Sequence, residues 1–380
     1  MLRASSAERA RMWPDRRIQD LFGIALPIVQ APMAGAHQAE LAIAAARAGA
    51  LGSLPCAMLS PQQAREQVAR FRAAVGAPVN LNFFCHRPAA PDPAREAAWR
   101  ARLRPYYLEF GLDPDAASAA VARAPFDETW CALVEELRPQ VVSFHFGLPE
   151  PALLARVRAT GARAIGSATT VAEAVWLERN GCDAVIAQGN EAGGHRGVFL
   201  ADEFSNGEDV SRQAGLFALL PRVADAVKVP VIAAGGIFDG RGIAAAFALG
   251  AAAVQVGTAY LFCAEATIAP LHRRALAAGE GDDTALTNVF SGRPARGIVN
   301  RVMREVGPLS PLAPAFPGAG AALAPLRGQA EAAGDDGFMS LWSGQARRAH
   351  ALGAFELTRE LARQALDLLD RGGERGIDRD

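Results

Sequence analysis

Ala184-Val-Ile-Ala-Gln-Gly-Asn-Glu-Ala-Gly-Gly-His-Arg-Gly197 is the stretch that decides how the chain folds. It begins as a short apolar run with the character of a strand and changes abruptly to glycines that carry one histidine, His195. Glycine has no Cβ and tolerates positive φ, so backbone N–H groups in such a loop can approach a ligand closely. His195 is the group there that changes protonation near neutral pH. The stretch alone is equally consistent with a ligand site and with a tight turn that carries a solvated histidine.

Seven further apolar runs have the same strand character. They span residues 26–30, 50–54, 78–84, 141–146, 163–168, 229–234 and 252–256. Helical segments separate most of them, and one helix is marked by Ser60 at its N-cap and Pro61 at its first position. Strands without a polar face suit a parallel sheet that is buried on both sides. Eight strands alternating with helices predict an α/β fold, a (β/α)8 TIM barrel, with an open doubly wound sheet as the alternative.

Two segments interrupt this alternation. Residues 86–138 have the composition of helices and loops, and no strand series restarts there, which predicts a helical insertion on one loop of the barrel. Residues 266–380 are predicted to be a C-terminal helical and loop region over the barrel, with a charged tail that frays. The barrel itself is therefore predicted to comprise residues 18–85 and 139–265. Residues 1–17 lack the apolar run of a signal peptide and are expected to fray.

Composition excludes several classes of partner. The chain has 380 residues, of which 51% are hydrophobic, and a formal net charge of −1, so it has no electrostatic footprint for nucleic acid or an anionic membrane. Its five cysteines are scattered without a CxxC pair, which disfavours a disulfide framework or a zinc site and fits a reducing compartment. We expect a cytoplasmic protein that binds small molecules and can form a homodimer.

Glycine turns follow the last two predicted strands. In TIM barrels the ligand lies at the carboxyl ends of the strands, and a phosphate commonly binds the loops after strands seven and eight. Gly235 and Gly236 occupy the first of these loops, and Gln255-Val256-Gly257-Thr258 leads into the second. Each loop offers N–H groups and precedes a helix N-terminus, which favours an anion. The pattern predicts a phosphorylated ligand; the alternative is that these glycines only close turns.

The other strand ends carry neutral amides and apolar groups. Side-chain amides can donate and accept along the edge of a heterocycle, and the thioether of Met33 can cover a ring face. Lys228 is the only lysine in the chain, so Schiff-base chemistry at a strand end is disfavoured. We therefore predict a phosphorylated aromatic cofactor with one histidine beside it.

Five motifs in combination resemble the nitronate monooxygenases, formerly called 2-nitropropane dioxygenases. They are Gln30-Ala-Pro-Met33, Asn80-Leu-Asn-Phe-Phe84, Gln188-Gly-Asn-Glu-Ala-Gly-Gly-His195, Ala234-Gly-Gly236 and Gln255-Val-Gly-Thr258. The resemblance runs from about residue 18 to residue 305 and includes Phe290–Gly297. It implies a barrel that binds flavin mononucleotide (FMN) and no metal. By this resemblance Asn82, Gln188 and Gly193 would contact the flavin, and Gly236 with Gln255, Val256, Gly257 and Thr258 would hold its phosphate end. The neighbouring strand-end residues Ala31, Pro32, Met33, Gly194 and Gly235 complete the predicted cofactor contacts.

The same resemblance implies a reaction. His195 matches the family's catalytic base, which takes the α-proton of a nitroalkane or steers a nitronate that is already deprotonated. A nitronate of the propionate 3-nitronate type would be oxidised by O₂ to a carbonyl compound and nitrite, by way of a flavin semiquinone. Arg293 and Arg296 are candidates for binding the substrate carboxylate, with surface charges as the alternative. His145 ends the fourth strand and is expected to be a packed or hydrogen-bonded core histidine.

Three alternative functions remain open from the sequence. A flavin-dependent enoyl-acyl-carrier-protein reductase also carries a Gly-Gly-His turn after its sixth strand, but it would consume NAD(P)H. A non-redox barrel that acts on a sugar phosphate is disfavoured by the absence of lysines and paired carboxylates at the predicted strand ends. A flavin-binding protein without turnover would be yellow, and nothing it does would depend on His195.

Overall fold

A closed barrel of eight parallel strands forms the centre of the molecule. The computed structural model describes residues 12–116, 124–200, 210–279 and 281–377. The barrel strands are β1 (Ile28–Gln30), β2 (Gly52–Pro55), β3 (Val79–Phe84), β4 (Val141–His145), β5 (Arg163–Ala168), β6 (Ala184–Gln188), β8 (Val231–Ala234) and β9 (Ala253–Val256); β7 (Gly194–His195) belongs to a second, smaller sheet. Hydrogen-bonded neighbours follow the order β1-β9-β8-β6-β5-β4-β3-β2.

The two ends of this order meet, which closes the barrel. Val29 of β1 forms a parallel bridge with Leu51, just before β2. Gln30 N donates to Leu51 O at 3.0 Å, and Leu51 N donates to Ile28 O at 2.9 Å. The predicted (β/α)8 barrel is therefore confirmed, and the open doubly wound sheet is excluded.

The helices are, in chain order, α1 (Arg17–Phe22), α2 (Ala39–Arg47), α3 (Pro61–Ala74), α4 (Pro93–Glu109), α5 (Glu128–Leu137), α6 (Pro151–Ala159), α7 (Val171–Arg179), α8 (Leu216–Ala226), α9 (Gly240–Ala248), α10 (Pro270–Ala278), α11 (Arg301–Val306), α12 (Ala319–Ala332) and α13 (Ala354–Ile377). Ser60 caps α3 through a capping box with Gln63, as its position before Pro61 suggests. Ile18 and Phe22 of α1 pack against the barrel interior beside Val29. The amino-terminal end of the barrel is thus filled with side chains, which leaves the opposite end for a site.

The last helix of the chain completes the ring around the barrel. α13 packs against α9 and α2, the helices on either side of the gap that follows β9. Leu357, Leu361 and Ala365 are buried in the same cluster as Phe247 of α9. The residues between β9 and α13 therefore form one long connection within the final βα unit. Residues 378–380 of the predicted fraying tail lie outside the described residues, as do residues 1–11.

The two segments that interrupt the alternation pack on each other. Trp99 Nε1 of α4 donates to Ala319 O at 3.1 Å, and the Tyr107 hydroxyl donates to Ala322 O at 2.6 Å. These side chains share a buried cluster with Leu323 of α12. α5 contacts α3 and α6, so it occupies a place in the ring of helices around the barrel. The domain boundaries drawn from the sequence stay a proposal.

A small antiparallel sheet links the C-terminal region to the Gly-rich loop. The sequence predicts only helix and loop after residue 265, whereas the structure forms β10 (Thr284–Thr287) and β11 (Ala295–Ile298). β11 pairs with β10 on one side and with β7 on the other, where Ala295 faces His195 and Arg296 faces Gly194. The backbone of His195 is therefore held by a strand that comes from far along the chain.

Candidate active site

A cavity of about 390 Å³ opens at the carboxyl ends of the barrel strands. Its lining includes these residues predicted for the site: Ala31, Pro32, Met33, Asn82, Gln188, Gly193, Gly194, His195, Gly235, Gly236, Gln255, Gly257 and Thr258. Val256 is the exception among the predicted contacts, because it is fully buried in the core behind the cavity wall. The alternation of a strand explains this, since neighbours of an inward-facing residue point to the other face.

His195 lies against a wall of aromatic rings. Its ring centroid is 5.5 Å from those of Phe316 and Trp342, 6.0 Å from that of Phe146 and 6.3 Å from that of Phe84. Trp342 comes from the C-terminal region, and Phe316 lies just before α12. The histidine at the end of the Gly-rich loop therefore faces a cavity whose nearest walls are apolar.

Ser291 holds the ring of His195 in place. Its Oγ lies 2.9 Å from His195 Nε2 and 3.2 Å from Arg293 O. A hydroxyl can both donate and accept, so this contact suits either neutral tautomer of the imidazole. The hydrogen bond therefore fixes the orientation of the ring and ties it to the turn at Ser291 and Arg293.

Gln188 closes the Gly-rich loop onto its own strand. Its Nε2 donates to His195 O at 3.0 Å, and its Oε1 accepts from Gly197 N at 2.8 Å. His145 Nε2 also donates to His195 O, at 3.2 Å, so this histidine is hydrogen-bonded as the sequence suggests, and it lines the cavity as well. Burial, reinforced by the positive charges of Arg293 and Arg196, lowers the pKa of His145 to about 3. His145 is therefore neutral at physiological pH.

Arg196 organises the loop from behind. Its side chain is 1% exposed, and its guanidinium donates to a series of main-chain carbonyls in the loop, those of Gly189, Asn190, Ala192, Gly193 and Gly194. Burial lowers its pKa to about 9, an effect reinforced by the nearby charge of Arg296. Sequence reasoning missed Arg196, although its place directly after Gly-Gly-His was a signal, because a long cation next to small residues can bind their carbonyls.

The arginines named as substrate candidates do not line the cavity. Arg296 donates to Asn190 O at 2.8 Å and to Asn190 Oδ1 at 3.1 Å, so it supports the loop. The Arg293 guanidinium lies 4.1 Å from the centroid of Phe146 and donates to Val198 O. Neither arginine is a surface charge, which was the alternative interpretation. Arg296 is buried, and burial lowers the pKa of Arg293 to about 10. Among the described residues, the arginine that lines the cavity is Arg327, which is exposed on α12.

A buried histidine holds the first strand-end loop in place. His37 Nε2 accepts from Met33 N at 3.2 Å, and Nδ1 donates to Gln38 O at 3.0 Å. Gln30 supports the same loop, because its Oε1 accepts from Ser53 N at 3.0 Å and its Nε2 donates to Ala31 O and lies 3.1 Å from His37 Nε2. Burial lowers the pKa of His37 to about 4, so it stays neutral.

A segment near the end of the chain covers the glycine turns. Gly344 N donates to Thr258 Oγ1 at 2.9 Å, and Gln345 N donates to Glu191 O at 3.0 Å. Trp342, Ser343, Gly344 and Ala346 line the cavity. Sequence reasoning missed this segment. Its Ser-Gly pair is a turn signal, but nothing in the local pattern connects it to the barrel.

The polar groups of the cavity fit a phosphorylated heterocycle. Gln255 Oε1 is buried without a hydrogen-bond partner, although Gln255 lines the cavity. Leaving such an acceptor unpaired costs free energy, so a ligand N–H is its natural partner. Gly235 and Gly236 have φ of 114° and 66°, a conformation that side chains rarely adopt, which keeps this turn free of Cβ atoms. Within the described ranges, no group of three or more His, Cys, Asp or Glu side chains is placed to hold a metal ion.

These features define a TIM barrel with a cavity, at the carboxyl ends of its strands, whose shape and polar groups fit a phosphorylated ring compound beside a histidine. Comparison with known proteins goes further: the chain belongs to the nitronate monooxygenase family, whose model matches residues 15–363. The nitronate monooxygenase of Paraburkholderia phytofirmans is 42% identical over 352 residues, which cover 92% of this chain and 94% of that protein. The resemblance seen in the sequence is thereby confirmed, and the family makes the chain an oxidoreductase and a flavoprotein.

Solved structures agree with this assignment. The nitroalkane oxidase from Streptomyces ansochromogenes superposes with a TM-score of 0.83 at 38% identity and covers 93% of this chain and 99% of its own. FabK from Thermotoga maritima has a TM-score of 0.72 at 25% identity, over 96% of this chain and 100% of its own. Among the helices that the structure describes, none combines the length and apolar character needed to cross a membrane.

Proposed function

We propose that the enzyme uses FMN to oxidise alkyl nitronates of the propionate 3-nitronate type with O₂, yielding a carbonyl compound and nitrite. The observation that carries this proposal is the setting of His195, a histidine whose ring is held by Ser291 and faces a cavity with apolar walls. Family membership and the likeness to a nitroalkane oxidase support the same reaction class.

The residues that would hold the cofactor fall into two groups. The glycine turns at Gly235 and Gly236 and at Gly257 and Thr258 would bind the phosphate end through N–H groups and a hydroxyl. The amides of Asn82, Gln188 and Gln255, with Gly193 and the Ala31–Met33 loop, would contact the ring system. When bound, the flavin supplies electron transfer from the nitronate to O₂.

His195 would act on the substrate through its imidazole ring. A neutral imidazole takes a proton readily near pH 7, so it suits the α-proton of a nitroalkane. When the substrate is already a nitronate, the same ring would orient it against the cofactor. The surrounding aromatic rings exclude water and so strengthen these interactions.

Anaerobic mixing with propionate 3-nitronate tests the proposal. We expect a yellow protein whose flavin spectrum changes on mixing and which releases nitrite when air is admitted. His195→Asn should abolish proton abstraction from a neutral nitroalkane while FMN stays bound. Gln140→Asn, a substitution at the far end of the barrel, serves as the matched control. A flavin that nitronate leaves oxidised and NADPH bleaches would replace this proposal with a reductase.

Partners and location remain part of the proposal. We propose small molecules as the ligands, no nucleic acid partner, and a reducing, cytoplasmic setting. The five cysteines, all of which the structure describes, are free thiols, and this supports a reducing environment.

A further inference from the structure

Two buried arginines stand behind the Gly-rich loop, and no carboxylate in the described part of the chain lies at hydrogen-bond distance from either. Arg196 is 1% exposed and Arg296 is 6% exposed. Every hydrogen bond of Arg196 goes to a main-chain carbonyl, and those of Arg296 go to the Asn190 amide and carbonyl and to Thr284. One buried N–H, at Arg196 Nε, has no hydrogen-bond partner. Carbonyl dipoles solvate the two cations, but they do not neutralise them.

The negative charge of Glu191 balances only one of the two positive charges behind the Gly-rich loop. Glu191 interacts electrostatically with both arginines, and it is the acidic side chain among the described residues that line the cavity. Its two carboxylate oxygens each accept from Leu216 N at 2.9 Å, which keeps it in place. The third arginine of the region, Arg293, faces the separate buried carboxylate of Glu173. Among the residues that the structure describes, the cluster of Arg196, Arg296 and Glu191 therefore carries a net positive charge of one.

This charge adjoins the cavity. Ala192, Gly193 and Gly194, whose carbonyls bind Arg196, themselves line it. Two histidines of the cavity wall, His145 and His272, are uncharged at neutral pH. Burial lowers the pKa of His145 to about 3 and that of His272 to about 4. A buried cation without a partner costs free energy, so its retention beside a binding site points to an anion that completes the set.

We propose that the cluster of Arg196, Arg296 and Glu191 stabilises negative charge on the bound flavin ring, so that it raises the reduction potential of the flavin and its affinity for anionic adducts. This inference rests on the proposed function, because it requires FMN in the cavity. Arg196 is a positioning and electrostatic residue here and does not touch the substrate.

The test uses the FMN-loaded protein and two measurements that do not depend on turnover. The first is the midpoint potential, measured by anaerobic reduction against a reference dye. The second is titration with sulfite, which adds to an oxidised flavin and leaves an anionic adduct. Removing one buried charge within a few ångströms of the cavity wall should weaken sulfite binding by about ten-fold or more and lower the potential.

Opposite-sign variants separate charge from scaffolding. Arg196→Met should weaken sulfite binding, whereas Arg196→Lys, which keeps the charge, should restore most of it. Glu191→Gln keeps an acceptor for Leu216 N but removes the negative charge, so it should tighten sulfite binding and raise the potential. Arg327→Gln is the matched control, because the effect of an exposed cation on sulfite binding should vanish in concentrated salt, unlike the effect of the buried cluster.

Each outcome decides the inference. If Arg196→Met does not fold, Glu191→Gln alone is decisive, because a purely structural role for the cluster predicts no rise in potential. Unchanged potentials in Arg196→Met or in Glu191→Gln would overturn the inference. A wild-type protein that binds FMN and sulfite but does not oxidise nitronate would refute the proposed function and leave the electrostatic inference standing.

Discussion

Gly193 is the position where a single added methyl group should do most damage to the site. A Cβ built there lies 2.6 Å from Gly344 N, 2.7 Å from Ser343 C and 3.1 Å from Ser343 Cα. All three are backbone atoms, so no side-chain rotation can relieve the overlap. In Gly193→Ala the segment at 343–344 must therefore move away from the Gly-rich loop.

The free-energy cost of Gly193→Ala can be worked out from the hydrogen bonds that this movement weakens. The segment is tied to the site by Gly344 N to Thr258 Oγ1 at 2.9 Å and by Gln345 N to Glu191 O at 3.0 Å. Weakening both, at about 0.5–1.5 kcal/mol each, amounts to about 1–3 kcal/mol. Overpacking of a close contact costs a similar amount, about 1–3 kcal/mol. If that cost falls on the cofactor-bound state, FMN affinity should drop by about 5-fold to 150-fold.

Titration of apoprotein with FMN, followed by flavin fluorescence, measures this directly. Gly76→Ala is the matched control, because Gly76 is exposed, has no atom within 4 Å of its added Cβ and lies away from the cavity. It should bind FMN like wild type. A Gly193→Ala protein that does the same would show that the 343–344 segment does not form part of the cofactor site.

Three further predictions concern the loop, the buried histidine and the last helix. Gln188→Leu removes the partner of His195 O and Gly197 N, so nitronate turnover should fall by about ten-fold or more in steady-state assays, one such factor being about 1.4 kcal/mol. His37, whose pKa is lowered to about 4, takes up a proton on unfolding below pH 6.5; stability therefore falls as pH drops from 7 to 5, and His37→Gln should remove about 1–2 kcal/mol of that fall in urea titrations. Leu361→Ala should cost about 2–4 kcal/mol of unfolding free energy, whereas Leu352→Ala, at a side chain 37% exposed, should cost far less.

The barrel and the identity of most cavity residues could be predicted because their signals are local. Each strand lies within a short apolar run, and every run found in the sequence overlaps a strand of the barrel. The order of the strands follows from the barrel topology, which places Asn82, Gln188 and Gly236 at one end without knowledge of any contact. The local sequence pattern was sufficient to predict the barrel because the order of the strands along the chain is also their order around the barrel.

The remainder depends on contacts between distant parts of the chain. α13 has the apolar stripe of any surface helix, and only its packing against α9 and α2 shows that it completes the ring. β10 and β11 are four residues long each, and β11 contains an arginine and a glycine. Their sequences therefore do not distinguish them from a loop. Ser343 and Gly344 enter the site from a region whose composition predicts only helix and loop.

His195 shows why residue type could be predicted when geometry could not. Its ring is set by Ser291, its carbonyl by Gln188 and His145, and its backbone by β11. Only Gln188 among these lies in the same motif. A histidine after two glycines therefore indicates what chemistry the loop can perform, but the orientation of its ring depends on a serine that arrives with the C-terminal region. We infer that this region is as necessary to the reaction as the barrel, although the motifs that identify the family lie mostly in the barrel.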